Sequence, residues 1–379
     1  MNEELLLFLI VLGTLTVFYY LQTHTAPRDF LARFMPYFAQ AAADEPLAAP
    51  GSKGVFVWIM HSYVPTVRAG SELTAHAVNK YLIRAGWEVH VCVRDYAVPK
   101  YEGVHIHRIL ADNKLSASAE TAVKRAAMLG CQNYNGFEGI EIAEAYKKPI
   151  MFFLHVEFEK IEILQQRFGV PVYVVYNSLA QHAMLPTIHE NTTVRPHIDY
   201  AKFKVQSSNP RFITLLNCNE NKGGKIFQNL AGRLPEHQFL GIKGAYATQI
   251  TDVAPNLLNV SYMPTQEDPA PIYSQSRVVI MPSKTESWGR VALEAMAAGV
   301  PVIVSDTPGL RECTGGAAKI CSRTDITCWE EGIKELSAEG EARQAAIEAG
   351  RKRIAELEAA QDFRDFDVWL TGLTQVQQV

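Results

Sequence analysis

The 379 residues contain no Cys-x-x-Cys pair, no basic stripe and no surplus of positive charge. Lys and Arg number 36 against 40 Asp and Glu, so the formal net charge is -4, and nothing here argues for a nucleic-acid partner. The six cysteines, Cys92, Cys131, Cys218, Cys313, Cys321 and Cys328, have neither zinc-ligand spacing nor an accompanying histidine pattern. Neither a metal site nor a disulfide framework is therefore expected. These thiols should pack as small hydrophobes in a reducing compartment.

Charge is also missing locally. From Leu5 to Pro27 there is no Asp, Glu, Lys or Arg, and Leu5 to Leu21 is almost continuously apolar or aromatic. A helix of that length spans roughly 25 Å, at the short end for a bilayer core of about 30 Å. The preferred reading is a membrane-anchor segment over 1–27, with a cleaved signal peptide and a buried hydrophobic helix as alternatives. Glu3 and Glu4 stand where a signal peptide carries basic residues. Arg28 and Arg33 follow the segment, so the positive-inside tendency puts the bulk of the chain on the cytoplasmic face. Residues 28–53 read as an interfacial helix, by the spacing of Phe30, Leu31, Phe34, Met35 and Phe38, and then a linker. The alternative is a helix packed on the body of the protein.

What remains is too long for one ordinary core and, at 48% hydrophobic and 20% charged, is globular. Apolar runs at Val55 to Met60, Glu88 to Val93, Val104 to Ile109, Pro149 to Leu154 and Pro171 to Tyr176 read as strands of a first domain. A helix is expected over Ser71 to Arg84, stopped by Gly86, and another over Ser118 to Met128 with Ser118 as its N-cap. A second strand series runs through Arg211 to Leu216, Gln238 to Lys243, Leu258 to Met263, Arg277 to Met281 and Pro301 to Ser305. Helices are expected at Lys225 to Leu234, Gly289 to Ala298, Asp325 to Ser337, Glu341 to Ala359 and Phe363 to Leu373. Asn191 and Asn259 begin glycosylation sequons, expected to be chance matches in a cytoplasmic chain.

The sequence is most informative from Arg277 to Asp306, a strand, helix, strand unit holding Glu286 in the loop and Glu294 in the helix. Such a unit pairs its strands in parallel, so the loop lies at the carboxyl end of a strand, where open α/β sheets bind ligands. A helix start suits a phosphate and two carboxylates suit hydroxyl groups, which together describe a sugar nucleotide. Two acids that merely face solvent are the alternative.

TESWGRVALEAMAAGVPVIVSDTPGLRE resembles the donor-site signature of retaining GT-B glycosyltransferases of the group 1, glycogen-synthase-like superfamily. The resemblance covers about Val55 to Leu373. It implies an α/β GT-B fold, two Rossmann-like domains facing a cleft, with the hydrophobic N-terminal helix added. The implied division is 54–200 for the N-terminal acceptor-side domain, 201–361 for the C-terminal nucleotide-sugar donor domain, and 362–379 for a helix crossing back to the first. Val194 to Asp199 resembles the last first-domain strand.

By the same resemblance Glu286 contacts the donor sugar and Glu294 the ribose, while Ser287, Trp288 and Gly289 bring backbone to the phosphates. Lys222, followed by Gly223, is the phosphate-binding lysine; a solvated surface lysine is its alternative. His155 closes a first-domain strand near the reacting sugar, although a lone strand-end histidine is more often structural. Gly70, Arg68 and Asn177 line the acceptor side of the cleft, and Met263 and Pro264 are placed at the nucleotide base. Where the family commonly has an arginine before the lysine, this chain has Asn217. Arg68 and Lys284 are the candidates to compensate.

The implied reaction moves a sugar from a nucleotide diphosphate sugar to an acceptor hydroxyl with retention. It uses no cofactor and no metal, since no Asp-x-Asp triplet stands in a suitable loop. The acceptor is expected to be a carbohydrate or lipid-linked glycan near the membrane. The alternatives are an epimerase or hydrolase of sugar nucleotides, and a degenerate membrane-tethered binder.

Overall fold

The computed structural model describes residues 51–376 apart from 112–113, 134–135, 156–163, 205–208, 245–246, 253 and 256. The anchor expected at 1–27 lies outside the described residues, as do all but the last three residues of the stretch 28–53. Among the described residues no helix is long and apolar enough to cross a membrane.

Eight strands form a first sheet: β1 Gly54–Met60, β2 Trp87–Val93, β3 Lys100–Tyr101, β4 Val104–Arg108, β5 Met128–Gln132, β6 Ile150–Leu154, β7 Val172–Tyr176 and β8 Glu190–Thr193. Their order is β3-β4-β2-β1-β5-β6-β7-β8, and every ladder is parallel except β3 with β4. The second sheet uses β9 Phe212–Leu216, β10 Gln238–Ile242, β11 Val260–Met263, β12 Ser276–Met281, β13 Val302–Ser305 and β14 Lys319–Cys321. Its order is β11-β10-β9-β12-β13-β14, parallel throughout. Counted within its own domain this is three, two, one, four, five, six. The direction of strand succession therefore reverses between β9 and β12, which opens a crevice at their carboxyl ends.

Helices cover both faces, which is why the central strands read as unbroken apolar runs. Successive residues of β1 feed opposite cores. Val57 and Ile59 pack under α2 (Ala117–Arg125) and α3 (Gly136–Tyr146), whereas Phe56, Trp58 and Met60 pack under α1 (Gly70–Arg84). The α1 helix presents Ala75, Val78 and Leu82 inward, and Asn79 accepts from the Trp58 indole at 2.5 Å. The last helix, Asp362–Val376, returns to this first sheet. Its Phe366 and Leu370 are fully buried in the Trp58 core, and Asp367 accepts from Trp87 Nε1 at 2.9 Å and from Lys53 at 2.5 Å.

Four expectations need correction. The β5 strand and the α3 helix were not expected, because β5 is MLGCQ and its central glycine reads as loop. A Cβ on Gly130 would stand 2.9 Å from the Phe56 ring, so the glycine serves close packing. The cap of α2 is Ser116, which accepts from Ala119 N, while Ser118 meets His107 at 3.0 Å. The last strand of the first sheet is β8, not Val194 to Asp199: Arg195 donates its backbone N–H to Asp362, and Pro196 has none to give. Finally, Cys321 and Cys328 form a disulfide, because the chain turns from the end of β14 into the helix Ile326–Ser337 and brings their Cα atoms to 5.8 Å. Cys92, Cys131, Cys218 and Cys313 are buried thiols.

The sequon residue Asn259 is buried, its side-chain amide donating to the carbonyls of Ala231, Leu234 and His237. It closes the end of the helix Gly224–Arg233.

Candidate functional site at the strand-order reversal

Two loops meet in the crevice of the second sheet. The loop after β9 carries Lys222, whose Nζ lies 2.5 Å from Glu286 Oε2 in the loop after β12; Ser283 donates to the same carboxylate oxygen at 3.3 Å. Both side chains are only partly exposed, 26% and 15%. The loops approach this closely because Gly223 sits at φ 92°, and a Cβ there would fall 2.5 Å from Pro282 Cγ and 2.7 Å from its carbonyl oxygen. Further stitches run from Lys284 N to Asn221 O at 2.7 Å and from Arg323 to the carbonyls of Pro282 and Glu220. The helix Gly224–Arg233 begins directly after Gly223, so a positive helix end stands beside the Lys222–Glu286 pair, while the N–H groups of Lys222, Gly223 and Gly224 bond Asn219 Oδ1, Glu220 O and Asn219 O.

The PGLRE run forms the helix Pro308–Thr314 and supports the Glu286 loop from below. A Cβ on Gly309 would come within 2.2 Å of Glu286 O, and one on Gly289, at φ 121°, within 2.6 Å of Leu310. Glycine lets backbone lie on backbone at Gly309, and at Gly289 it lets the Leu310 and Cys313 side chains pack against the chain.

Glu294, in the helix Arg290–Ala297, is buried with both oxygens engaged. Tyr273 donates to Oε2 at 2.7 Å and Arg290 Nε to Oε1 at 2.8 Å. Tyr273 is itself fully buried; burial first, then the adjacent carboxylate, raises its hydroxyl well above the ordinary tyrosine range. It stays a donor. Each carboxylate oxygen keeps a second lone pair, so a ligand hydroxyl has somewhere to bond without displacing either neighbour.

Ser287 turns away from the crevice and joins the two sheets. Its hydroxyl donates to His155 O at 2.6 Å and accepts from Asn177 Nδ2 at 2.8 Å, while Ser178 donates to Ser287 O at 2.7 Å. Glu312 adds to the seam by accepting from the N–H groups of Leu179 and Ala180. The His155 side chain and Asn177 line one small cavity with Thr74, Phe153 and Val194. Among the described residues His155 Nε2 and Asn177 Oδ1 are buried without a hydrogen-bond partner. A buried polar atom left unpaired costs about 1–3 kcal/mol, and this cavity is the size that one bridging water would fill.

Burial holds the His155 imidazole at about 4, against the ordinary 6.5. The unfolded chain takes up a proton that the folded chain refuses between those values. Stability from the neutral ring is thus intact above pH 6.5 and is lost as pH falls towards 4. From about pH 7.5 to about pH 5 the loss is about 2 kcal/mol. Urea unfolding at the two pH values should show the wild type losing about 2 kcal/mol more than His155→Gln; equal losses would refute the assignment.

The remaining predicted residues are divided among loops, strands and helices of both sheets. Asn217, at φ 69°, accepts from Gln249 Nε2 at 3.1 Å, and Gln249 Oε1 in turn accepts from Cys218 N and Gly244 N. Met263 ends the outermost strand and Pro264 follows it, with Met263 O taken by Lys243 N at 2.9 Å. Trp288 is buried in the core with its indole N–H unpartnered among the described residues. Gly70 opens α1 with nothing within 4 Å of its absent Cβ. Arg68 lies 3.6 Å from Glu267 in an exposed pair. Tyr273, Arg290, Gln249 and Arg323 went unread in the sequence. Tyr273, Gln249 and Arg323 act from neighbouring elements on residues more distant in the chain, and only Arg290, one turn before Glu294, left a signal.

Residues 233–353 match the family described as glycosyl transferases group 1. This stretch is a group 1 glycosyltransferase domain. Its curated relatives include the D-inositol 3-phosphate glycosyltransferase of Corynebacterium urealyticum, 34% identical over 91 residues, 24% of this chain and 22% of that protein. An uncharacterized glycosyltransferase of Methanocaldococcus jannaschii is 56% identical over 89 residues, 22% of each chain. The similarity thus spans about a fifth of the length of these relatives. Among solved structures, sucrose-phosphate synthase from Thermosynechococcus elongatus matches with TM-score 0.68 at 16% identity, over 85% of this chain and 100% of that one. The Anabaena protein HepE in complex with UDP-glucose matches with TM-score 0.67 at 14% identity, over 86% and 99%. These likenesses extend the two-domain GT-B fold beyond the group 1 domain to the first sheet.

Proposed function

We propose that this chain is a retaining glycosyltransferase that moves a sugar from a nucleotide diphosphate sugar to an acceptor hydroxyl. The observation that carries the reading is the Lys222–Glu286 pair at the reversal of strand order, beside a helix start. The diphosphate lies along Lys222, Gly223 and the backbone of Trp288 and Gly289, and Glu286 orients the sugar. Glu294 takes the ribose hydroxyls on its remaining lone pairs. His155, Asn177 and Gly70 line the reacting end, Asn217 borders the phosphates, and Met263 and Pro264 face the base. Supporting it are the group 1 domain, relatives named as sugar transferases, and a structural neighbour solved with UDP-glucose.

In the reaction the bond from the anomeric carbon to the phosphate oxygen breaks, and a bond to the acceptor oxygen forms on the same face. The acceptor proton passes to the leaving phosphate, so no carboxylate has to serve as a covalent nucleophile. The protein contributes placement and charge: Lys222 and the helix end stabilise the leaving diphosphate, and the reading needs no metal. The apolar run Leu5 to Leu21 makes a lipid-linked or membrane-proximal acceptor part of the proposal.

The test incubates the full chain with a panel of nucleotide sugars and follows release of nucleoside diphosphate, with Glu286→Ala as control. Release from one donor, reduced at least about 100-fold in the variant, is the expected result. A product still carrying its nucleotide would identify an epimerase, and free sugar formed without acceptor a hydrolase. Binding without release, even with acceptors and membranes added, would identify a degenerate binder, the reading that the neutral Asn217 favours.

A further inference from the structure

Both site loops are held by one side chain that touches neither Lys222 nor Glu286. Arg323 Nε donates to Pro282 O at 3.0 Å and Arg323 Nη2 to Glu220 O at 2.9 Å. Pro282 opens the loop that carries Glu286, and Glu220 lies two residues before Lys222. A guanidinium is a planar fork of fixed geometry, so two carbonyls bonded to its two arms are held at a set separation. Lysine carries three donors on one compact, flexible ammonium, which sets no such separation.

The turn that presents Arg323 is itself immobilised. It lies between Cys321 and Cys328, which are disulfide-bonded. Asp325 accepts from Cys328 N at 3.1 Å, and Trp329 donates its indole N–H to Ser322 O at 2.9 Å. Cys321 belongs to β14 and Trp329 is fully buried in the core beneath β12, so the turn is fastened to the sheet on both sides. Half-buried Arg323 thus reaches from a rigid base to the two loops, which are otherwise tied to each other by the Lys222–Glu286 pair, by Gly223 against Pro282 and by the bonds of Lys284 N and Thr285 to Asn221.

We propose that Arg323 is a positioning residue: it clasps the loop after β9 to the loop after β12 and so fixes the spacing of Lys222 and Glu286. The clasp stands on geometry alone, whereas its consequence for ligand binding rests on the donor-site reading above. A nucleoside diphosphate needs Lys222 and the helix start in one place at once. Loosening the clasp lets the two loops drift and weakens that grip, with no contact to the ligand lost.

The experiment compares full-length wild type, Arg323→Ala and Arg323→Lys by amide hydrogen exchange and by calorimetric titration with UDP and with GDP. In Arg323→Ala, peptides covering 217–224 and 282–289 should exchange roughly tenfold faster or more, as loss of a charged hydrogen bond implies, with the first sheet unchanged. The affinity for whichever nucleotide binds the wild type should fall roughly tenfold. Arg323→Lys should recover part of both. Unchanged exchange in either loop overturns the clasp, as does an equal loss of protection throughout the second sheet. Faster loop exchange with unaltered nucleotide affinity overturns the positioning role. If the wild type binds neither nucleotide, the donor-site reading fails for those bases, and the exchange data still decide the clasp.

Discussion

Replacing Lys222 with alanine is expected to slow nucleoside diphosphate release by about two to three orders of magnitude, the range seen when one stabiliser of developing charge is removed. Lys222 is the cation assigned to the proposed leaving group, while Arg290 is bonded to Glu294 and Arg323 to two carbonyls. Asn217, in the place where a second charge is expected, is neutral and tied to Gln249. The single variant has a complication: it leaves the Glu286 carboxylate, only 15% exposed, with Ser283 at 3.3 Å as its remaining partner. Some of its effect would then reflect a displaced Glu286. The double variant Lys222→Ala/Glu286→Gln separates the two, since a neutral amide does not need the lysine. If the residues act as one unit, the double variant should be about as slow as the worse single variant rather than the product of both. Steady-state kinetics with the donor found in the panel makes the measurement. A double variant faster than Lys222→Ala would mean that the lone carboxylate had been inhibitory.

The largest effect on stability is expected at Phe366. Its ring is 1% exposed and packs in the first-sheet core, 5.8 Å from the Phe153 ring centroid, and the neighbouring Asp367 is held by Trp87 and Lys53. Truncation to alanine removes the apolar transfer energy and leaves a cavity, a cost of about 3–5 kcal/mol. A domain of this size shifts by about 2–4 °C per kcal/mol, so its thermal transition should fall by roughly 10 °C. Calorimetry of the full chain should show the shift in the transition of the first sheet, with the second sheet's transition nearly unmoved. A common shift of both transitions would mean that the two sheets unfold as one unit. No shift would mean that the last helix contributes little to the first core.

The donor half was the more legible part of the sequence, and the reason is local. Glu286, Gly289, Glu294 and Gly299 all lie within one strand, helix, strand unit, so their spacing alone states the geometry. Lys222 was legible because a strand, a glycine pair and a helix bracket it within a dozen residues. The seam was not. Nothing near Ser287 announces that its hydroxyl will bond His155 O, 132 residues away, or that Asn177 will meet it. The disulfide escaped notice because its cysteines stand seven positions apart with no pattern around them, and the pairing depends on how β14 turns into the next helix. β5 was hidden by a glycine whose purpose is visible only once Phe56 lies across it.

The return of the last helix also has a consequence for biosynthesis. The core around Trp58 is completed by Phe366 and Leu370, and Asp367 caps the Trp87 indole. At roughly 5–20 residues per second, the ribosome needs on the order of 15–60 s to pass from β1 to these residues. Throughout that interval the nascent first sheet lacks the side chains that close one of its faces, while the second sheet, encoded entirely before them, can already be whole. The later-encoded domain is then the first to be finished, and the earlier one waits on the chain terminus, with apolar surface that a chaperone could occupy meanwhile.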